Sequence, residues 1–361
     1  LGILVAVTLL LIGFSPLIMH MMNPEFDISL IIDRGIDIQK TNVESAPYKL
    51  LDYQTTDDGS EIGPFGLGAS LLSICVPLAL GLGLGIYYRL TSGNVIDIRN
   101  KAKQLELEFS SALFQLGNRL GDGYPAELVF GKVADVMQNT VSGQFFNVVS
   151  MNIRKMGLGI YDAIFNPKNG AANLYPSNLI ESSMKVLVQS IRKGPLIAAQ
   201  AMSNVARYVK EIHKVNERLK DLMAEIVSSM ASQVKFLTPA ISGIVVGITS
   251  MITSILGRLT NQMGNMGEMS GTGGTGGLLE MFGTGLPTFY FQIIVGIYVV
   301  QISYILTNIM TGIDEGEDKI ILNYNLGKNM VNSTILYSVI TFFVMLLFNI
   351  IASAILGSTL G

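Results

Sequence analysis

The residues of this chain that could do chemistry are few and scattered. Gly271-Thr272-Gly273-Gly274-Thr275-Gly276 fits the G-x-G-x-x-G spacing of a dinucleotide-binding turn. That turn works because a strand delivers it and a helix N-terminus follows to meet the pyrophosphate. No strand-like alternation precedes Gly271, so the segment reads as a flexible loop. The spacing G-x-x-x-x-G-K-[ST] occurs nowhere, which excludes nucleotide hydrolysis through a P-loop by this chain alone. One cysteine, Cys75, lies in an apolar run, so neither a disulfide within the chain nor a cysteine-based metal site can form. His213, between Ile212 and Lys214, has no Ser or Cys nucleophile beside it and reads as a surface or half-buried side chain. His20 sits at the edge of an apolar run, where a polar tip snorkels toward water. With no nucleophile–base pair and no metal grouping, an enzyme ranks last, and no cofactor or metal is implied.

Asp314, Glu315, Glu317 and Asp318 form the densest charge cluster. It lacks EF-hand spacing, which argues against calcium. Two readings stay open: a solvated turn that separates two apolar runs, and a docking patch for a basic partner. Within the apolar runs the strongest polar groups are Gln292, Gln301, Asn308 and Asn349. Such amides hold helices together in lipid more often than they conduct. Ion-coupled transport calls for ionisable groups near the midplane, and the apolar runs carry no Asp, Glu, Lys or Arg.

These residues need elements to place them. The chain of 361 residues is 49% hydrophobic and only 14% charged, against a usual ~25% charged. The shortfall is concentrated in five apolar runs, about 1–22, 65–88, 237–257, 288–310 and 334–356, which predict transmembrane helices. A net charge of −3 is too near neutral to point to nucleic acid. The chain opens on Leu1 without a basic region or a small-x-small cleavage site, so it reads as part of a longer protein and not as a signal peptide.

Between the first two spans, residues 23–64 carry nine acidic and three basic residues. Leu30, Ile31, Ile32, Ile36 and Ile38 suggest a small fold there, and Asp57-Asp58-Gly59-Ser60 marks a turn. Residues 89–236 predict a helical domain. From Arg89 to Lys235 it has 18 Lys and Arg against 12 Asp and Glu. Leu105, Phe109, Leu113, Leu116 and Leu120 mark the inner face of a helix over 95–120. Further helices are predicted over 125–137, 145–165 and, capped by Ser177, to Lys193. Gly194-Pro195 starts a long helix whose apolar residues Val205, Tyr208, Ile212, Val215, Leu219, Leu222, Ile226 and Met230 predict one buried, nearly heptad stripe. The Gly121–Pro125 and Gly194-Pro195 breaks form a weak internal echo. Past Leu237 the long helix runs into an apolar span. Gly81 and Gly85 in span two, with Gly243 and Gly247 in span three, offer small-residue faces for helix packing. Lys and Arg flank spans two and three on the side of 89–236, which places that domain and the loop 311–333 in the cytosol. The acidic segment 23–64 and the Gly/Met-rich loop 258–287 then face outward.

The run Phe109-Ser-Ser-Ala-Leu-Phe-Gln-Leu-Gly-Asn-Arg-Leu-Gly-Asp-Gly-Tyr-Pro-Ala, then Lys132-Val-Ala, lies in two successive helix–Gly–helix halves flanked by spans. This resembles the type II secretion system F family, the platform proteins of type IV pilus-like machines. The short acidic loop running into Asn323-Tyr-Asn-Leu-Gly-Lys328 makes it most similar to the archaeal branch, which serves archaella and pili. The resemblance implies an all-α polytopic membrane platform with about five spans and a cytosolic helical bundle. The implied partners are a cytosolic hexameric ATPase, pilin- or archaellin-like subunits, membrane lipid and a second copy of the chain, with no nucleic acid. On that resemblance Asp314, Glu315, Glu317 and Asp318, with Lys210, Lys214 and Arg218, are the implied ATPase contacts. Gly81, Gly85, Gly243 and Gly247 are expected in transmembrane packing and in a homodimer. The alternative is a permease subunit of an ATP-driven transporter, although the inserted helical domain is larger than such coupling requires.

Overall fold

Apolar spacing of three and four residues dominates this sequence, and helix dominates the fold. The computed structural model describes residues 2–22, 29–30, 48–49, 51–55, 61–270 and 287–358. Helices α1 (Gly2–Gly13) and α2 (Ser15–Met22) come first. Strands β1 (Ser29–Leu30), β2 (Tyr48–Lys49), β3 (Asp52–Thr55) and β4 (Glu61–Phe65) follow. Then come α3 (Leu67–Ser73), α4 (Cys75–Gly121), α5 (Ala126–Val136), α6 (Val141–Met156), α7 (Ile160–Phe165), α8 (Asn178–Ile191) and α9 (Pro195–Ser232). A π-helical turn over Gln233–Leu237 leads into α10 (Thr238–Ser270), and α11 (Thr288–Glu315) and α12 (Lys319–Ser358) complete the order. Contacts divide the chain into two units, Leu1–Thr91 with Val227–Gly361, and Ser92–Ile226.

The unit Ser92–Ile226 is a helical bundle. Leu105, Phe109, Leu113, Leu116 and Leu120 of α4 are at most 1% exposed and meet Phe130, Phe145, Phe146, Ile180 and Met184 in one apolar cluster. Caps hold the ends of the short helices. The Thr140 hydroxyl accepts from Gly143 N–H at 3.0 Å, and a Glu108 carboxylate oxygen accepts from Ser142 N–H at 3.1 Å. Both satisfy orphan donors of α6, and the carboxylate also suits the positive end of the helix dipole. Ser177 accepts from Ile180 N–H at the start of α8, as its sequence position predicts.

The expected helix over 145–165 is two helices. Gly157, at φ +65°, closes α6, and Leu158 N–H returns to Asn152 C=O at 3.3 Å. That is the geometry of a glycine-terminated helix. The long-helix stripe also differs from expectation. Ala198, Met202, Ala206 and Val209 are buried, whereas Tyr208 (64%), Val215 (56%), Leu219 (52%) and Leu222 (73%) are exposed. The buried face is turned by one residue, and the apolar cluster of the bundle ends at Ala206, so the stripe beyond it stays open.

In the other unit, four helical stretches are long and apolar enough to cross a membrane, or five if α1 and α2 form one span. Those two are bent by 53°. The bend has a local cause. Pro16 has no N–H for the Ile12 carbonyl, and the Ser15 hydroxyl donates to that carbonyl instead at 2.7 Å. Span two and the first bundle helix, expected as separate elements, share α4 without a break. The π-turn before α10 has a similar origin in Pro239, which cannot donate to Lys235 and crowds its carbonyl, so the backbone widens there. Helix α10 continues to Ser270, well past the expected end near 257, and α12 begins at Lys319 instead of near 334. The expected loop 311–333 is therefore mostly helix, with a turn at Gly316–Asp318.

The fold is all-α in class, and two small antiparallel pairs accompany the helices. β1 pairs with β2 and β3 with β4. The Ile31, Ile32, Ile36, Ile38 and Asp57–Ser60 readings lie outside the described residues. Tyr53 of β3 donates to Pro16 C=O at 3.0 Å and stacks on His20 at 3.6 Å, so His20 faces a ring and not open water. Burial, and next the neighbouring Tyr290, pushes the Tyr53 phenol up to about 12, which keeps its proton in place for that bond.

Asn152 is the most consequential polar residue of the bundle. It is 5% exposed and donates to Ala163 C=O at 3.0 Å and Asn169 C=O at 2.7 Å. Asn152→Ala leaves two carbonyls without a donor. It should destabilise the bundle by about 2–4 kcal/mol, read as a lower unfolding temperature and faster hydrogen exchange over 157–170. A loss below about 0.5 kcal/mol, the usual range for surface changes, would show that water replaces the amide.

Candidate functional site

With no catalytic grouping in the sequence, the candidate sites are surfaces and helix contacts. Asp314 and Glu315 end α11, Gly316 turns the chain at φ +68°, and Asp318 begins α12. One Asp318 carboxylate oxygen accepts from Ile320 N–H at 3.0 Å and from Ile321 N–H at 3.3 Å. This residue is therefore an N-cap, a role that its place before Lys319-Ile-Ile would have disclosed. Glu317 is exposed, while Asp314, Glu315 and Asp318 are half-buried. In the bundle, Lys210, Lys214 and Arg218 recur every four residues on α9 and are all exposed. They lie beside the open apolar residues Val215, Leu219 and Leu222. His213 is half-buried, with a buried Nε2 that has no hydrogen-bond partner among the described residues. Cys75 is a free, half-buried thiol, and no group of three His, Cys, Asp or Glu among the described residues could hold a metal. The Gly271–Gly276 motif lies outside the described residues, and the element leading up to it is helix α10, not a strand.

The glycines give the apolar unit its close contacts. A Cβ at Gly81 would run into Thr334, and one at Gly85 into Val331 and the Gly327 carbonyl. Gly83, two residues from each and so on the other side of the helix, faces Ala6 of α1. On α10, Gly243 faces Ile340 and Thr341, while Gly247 faces Val344 and Phe348. Gly296 of α11 lies on Pro77. Thus Gly81, Gly85, Gly243 and Gly247 all seat on α12 of the same chain.

Between α11 and α12 runs a ladder of polar pairs that sequence reasoning missed. Asn325 donates to Thr311 at 3.3 Å, Asn329 to Thr307 at 3.2 Å, and Ser303 to Ser333 at 2.8 Å. Tyr337 donates to Gln292 C=O at 3.4 Å, and Ser73 to the Gln292 side chain at 2.8 Å. The signal was present as a four-residue period, Asn325, Asn329, Ser333, Tyr337, against Ser303, Thr307, Thr311. Farther along α12, Asn349 donates to Ser250 at 3.0 Å and accepts from Ser254 at 2.9 Å. Gln301 and Asn308, grouped with Gln292 and Asn349 by residue type, are exposed on the other face of α11.

No family model matches the chain, and neither a curated protein nor a solved structure does. The arrangement can hold helices together and present surfaces to partners. Its long apolar helices suit a multi-pass membrane protein.

Gly81→Val should destabilise the full chain in detergent by about 1–3 kcal/mol, because α4 and α12 must part to admit the side chain. Gly93, in the same helix with nothing within 4 Å of its Cβ position, should behave oppositely. Gly93→Ala should raise stability by about 0.5–1 kcal/mol. Equal unfolding temperatures for the two variants would contradict the assigned helix contact.

Proposed function

We propose that this chain is the membrane platform of a type IV pilus-like machine, an archaellum, a pilus or a type II secretion system. It docks a cytosolic hexameric ATPase and passes the motion of that ATPase to pilin-like subunits as the filament assembles. The observation that carries this reading is the length of two helical stretches, 55 residues over Leu67–Gly121 and 62 over Pro195–Leu256. At 1.5 Å per residue such stretches reach about 80–90 Å, whereas the hydrocarbon core of a bilayer takes up only about 30 Å. Each stretch begins or ends in apolar sequence and continues into the charged bundle. A load applied to the bundle is then carried into the lipid along hydrogen-bonded backbone, without a loop to absorb it.

The basic excess of the Arg89–Lys235 region supports placing the bundle on the cytosolic side. In this reading Lys210, Lys214 and Arg218 on α9, with Asp314, Glu315 and Glu317 at the acidic turn, steer the ATPase onto the platform. The exposed Val215, Leu219 and Leu222 supply apolar area beside the basic row. The platform resides in the cell membrane as a multi-pass protein and performs no chemistry itself.

Binding of a cytosolic hexameric ATPase of the secretion type to the reconstituted full chain tests the docking assignment. The charge-reversed set Lys210→Glu, Lys214→Glu, Arg218→Glu should weaken binding at least tenfold at low salt. Neutralising Asp314, Glu315 and Glu317 to their amides should do the same, with Asp318→Asn included because asparagine keeps the N-cap. Unchanged binding in both sets defeats the assignment. A separate probe reads sidedness: in a Cys75→Ser background, Leu222→Cys should react with an impermeant thiol reagent only from the cytosolic face. Labelling from outside overturns the platform reading itself.

A further inference from the structure

We infer that the two helices joining the units carry a paired flexural joint. Helix α4 bends at residues 91–94, and the stretch from α9 into α10 bends over residues 227–237, without either coming unwound. The chain passes from one unit to the other between Thr91 and Ser92 and returns between Ile226 and Val227. Both passages are helical. With no loop at either, a change of angle between the units has to be taken up by bending of helix.

The first passage is made of weak helix formers. Thr91, Ser92, Gly93 and Asn94 follow one another in the interior of a 47-residue helix, and all four rank low in helix propensity. Gly93 is the most telling. Glycine in a helix interior is destabilising unless a close approach requires it. The other glycines of α4 have such an approach: Gly81 to Thr334, Gly83 to Ala6, Gly85 to Val331, and Gly117 and Gly121 to Ala199. A Cβ at Gly93 would meet nothing within 4 Å. Gly312, also without a neighbour there, lies in the last turn of α11 and weakens no helix interior. Thr91, Gly93 and Asn94 are exposed, so neighbouring side chains do little to stiffen α4 at this point.

The second passage is weakened by a different device. Exposed Ser228, Ser229 and Ser232 follow the boundary, and α-helical bonding then gives way to the π-helical turn over Gln233–Leu237. Such turns are places where long helices bend. Hydroxyls add to both passages. Thr91 donates to Tyr87 C=O at 2.8 Å and Ser232 to Ser228 C=O at 3.0 Å, and back-bonding of this kind bends helices. A joint in one helix alone would be opposed by the other. Two unrelated weaknesses coincide with the two passages, and that coincidence carries the inference. It rests on the division into units and not on the filament reading.

Pairs of spin labels in the full chain, reconstituted in lipid in a Cys75→Ser background, test it by pulsed dipolar distance measurement. Leu84→Cys with Leu107→Cys brackets the first passage, and Leu222→Cys with Ile244→Cys the second. All four positions are exposed. Each pair is separated by about 33–35 Å at 1.5 Å per residue. Lys328→Cys with Leu347→Cys, within the single helix α12, is the reference. Both bracketing pairs should give distance distributions at least about twofold wider than the reference. The variant Thr91→Ala, Gly93→Ala, Asn94→Ala changes only exposed positions, and should narrow the 84–107 distribution to the reference width. The inference is overturned if either bracketing pair is as narrow as the reference, or if the three alanines leave the 84–107 width unchanged.

Discussion

A polar group in an apolar interior is costly without a partner. A series of side-chain pairs answers that cost in the apolar unit, although the Thr334, Ser338 and Thr341 hydroxyls and Gln292 Nε2 have no hydrogen-bond partner among the described residues. The pairs are concentrated on α12. Toward α11 this helix presents Asn325, Asn329, Ser333 and Tyr337, each answered by a hydroxyl or a carbonyl. Toward α10 it presents Asn349, held by Ser250 and Ser254. Toward α4 it offers Gly327, whose backbone lies against Gly85 and Arg89. Directional bonds set the register of α11 and α10 on α12, and glycines let α4 approach where no bond is needed. Nonspecific apolar packing alone would leave each helix freer to slide or rotate on its neighbours, because apolar contact is not directional.

The unit Ser92–Ile226 is held together differently, by one apolar cluster. Phe109, Phe130, Phe145 and Phe146 are buried together, carried by the long α4 and by the shorter α5 and α6, of which α6 is capped by Thr140. Three positive-φ glycines, Gly123, Gly157 and Gly194, end its helices and let the chain reverse. Asn152 then binds the α6–α7 corner by reaching two carbonyls at once. In the long stretches the defects are of another kind. Pro16 bends the chain and Pro239 follows a widened turn, and at Pro16 a neighbouring hydroxyl satisfies the carbonyl that proline leaves without a donor.

Two surfaces remain open after both units have packed. One is the basic and apolar side of α9, which is exposed. The other is the amide-bearing side of α11, which lies in apolar sequence. They differ in what a partner must supply. Charge and apolar area on α9 suit a soluble partner steered by long-range attraction. Gln301 and Asn308 on α11 present carboxamides within a stretch apolar enough to cross a membrane.

Much of the molecule was legible in its residues. The four-residue spacing of Leu105, Phe109, Leu113, Leu116 and Leu120 foretold a buried helix face, because periodicity is local and survives any tertiary arrangement. The apolar runs foretold the long helices, and Gly123 and Gly194 foretold breaks, since backbone conformation there depends on the residue itself. Helix ends were less legible. Thr91–Asn94 continues as helix and α12 starts early, because packing outweighs the small propensity cost of single residues. What the residues could not disclose was direction. Gln292 and Gln301 are the same residue on the same helix, yet one faces Ser73 and the other faces out. The long-helix stripe looked like a buried seam but is covered only as far as the bundle reaches. Which face of a helix is covered depends on helices far away in sequence, and only the tertiary structure brings them together.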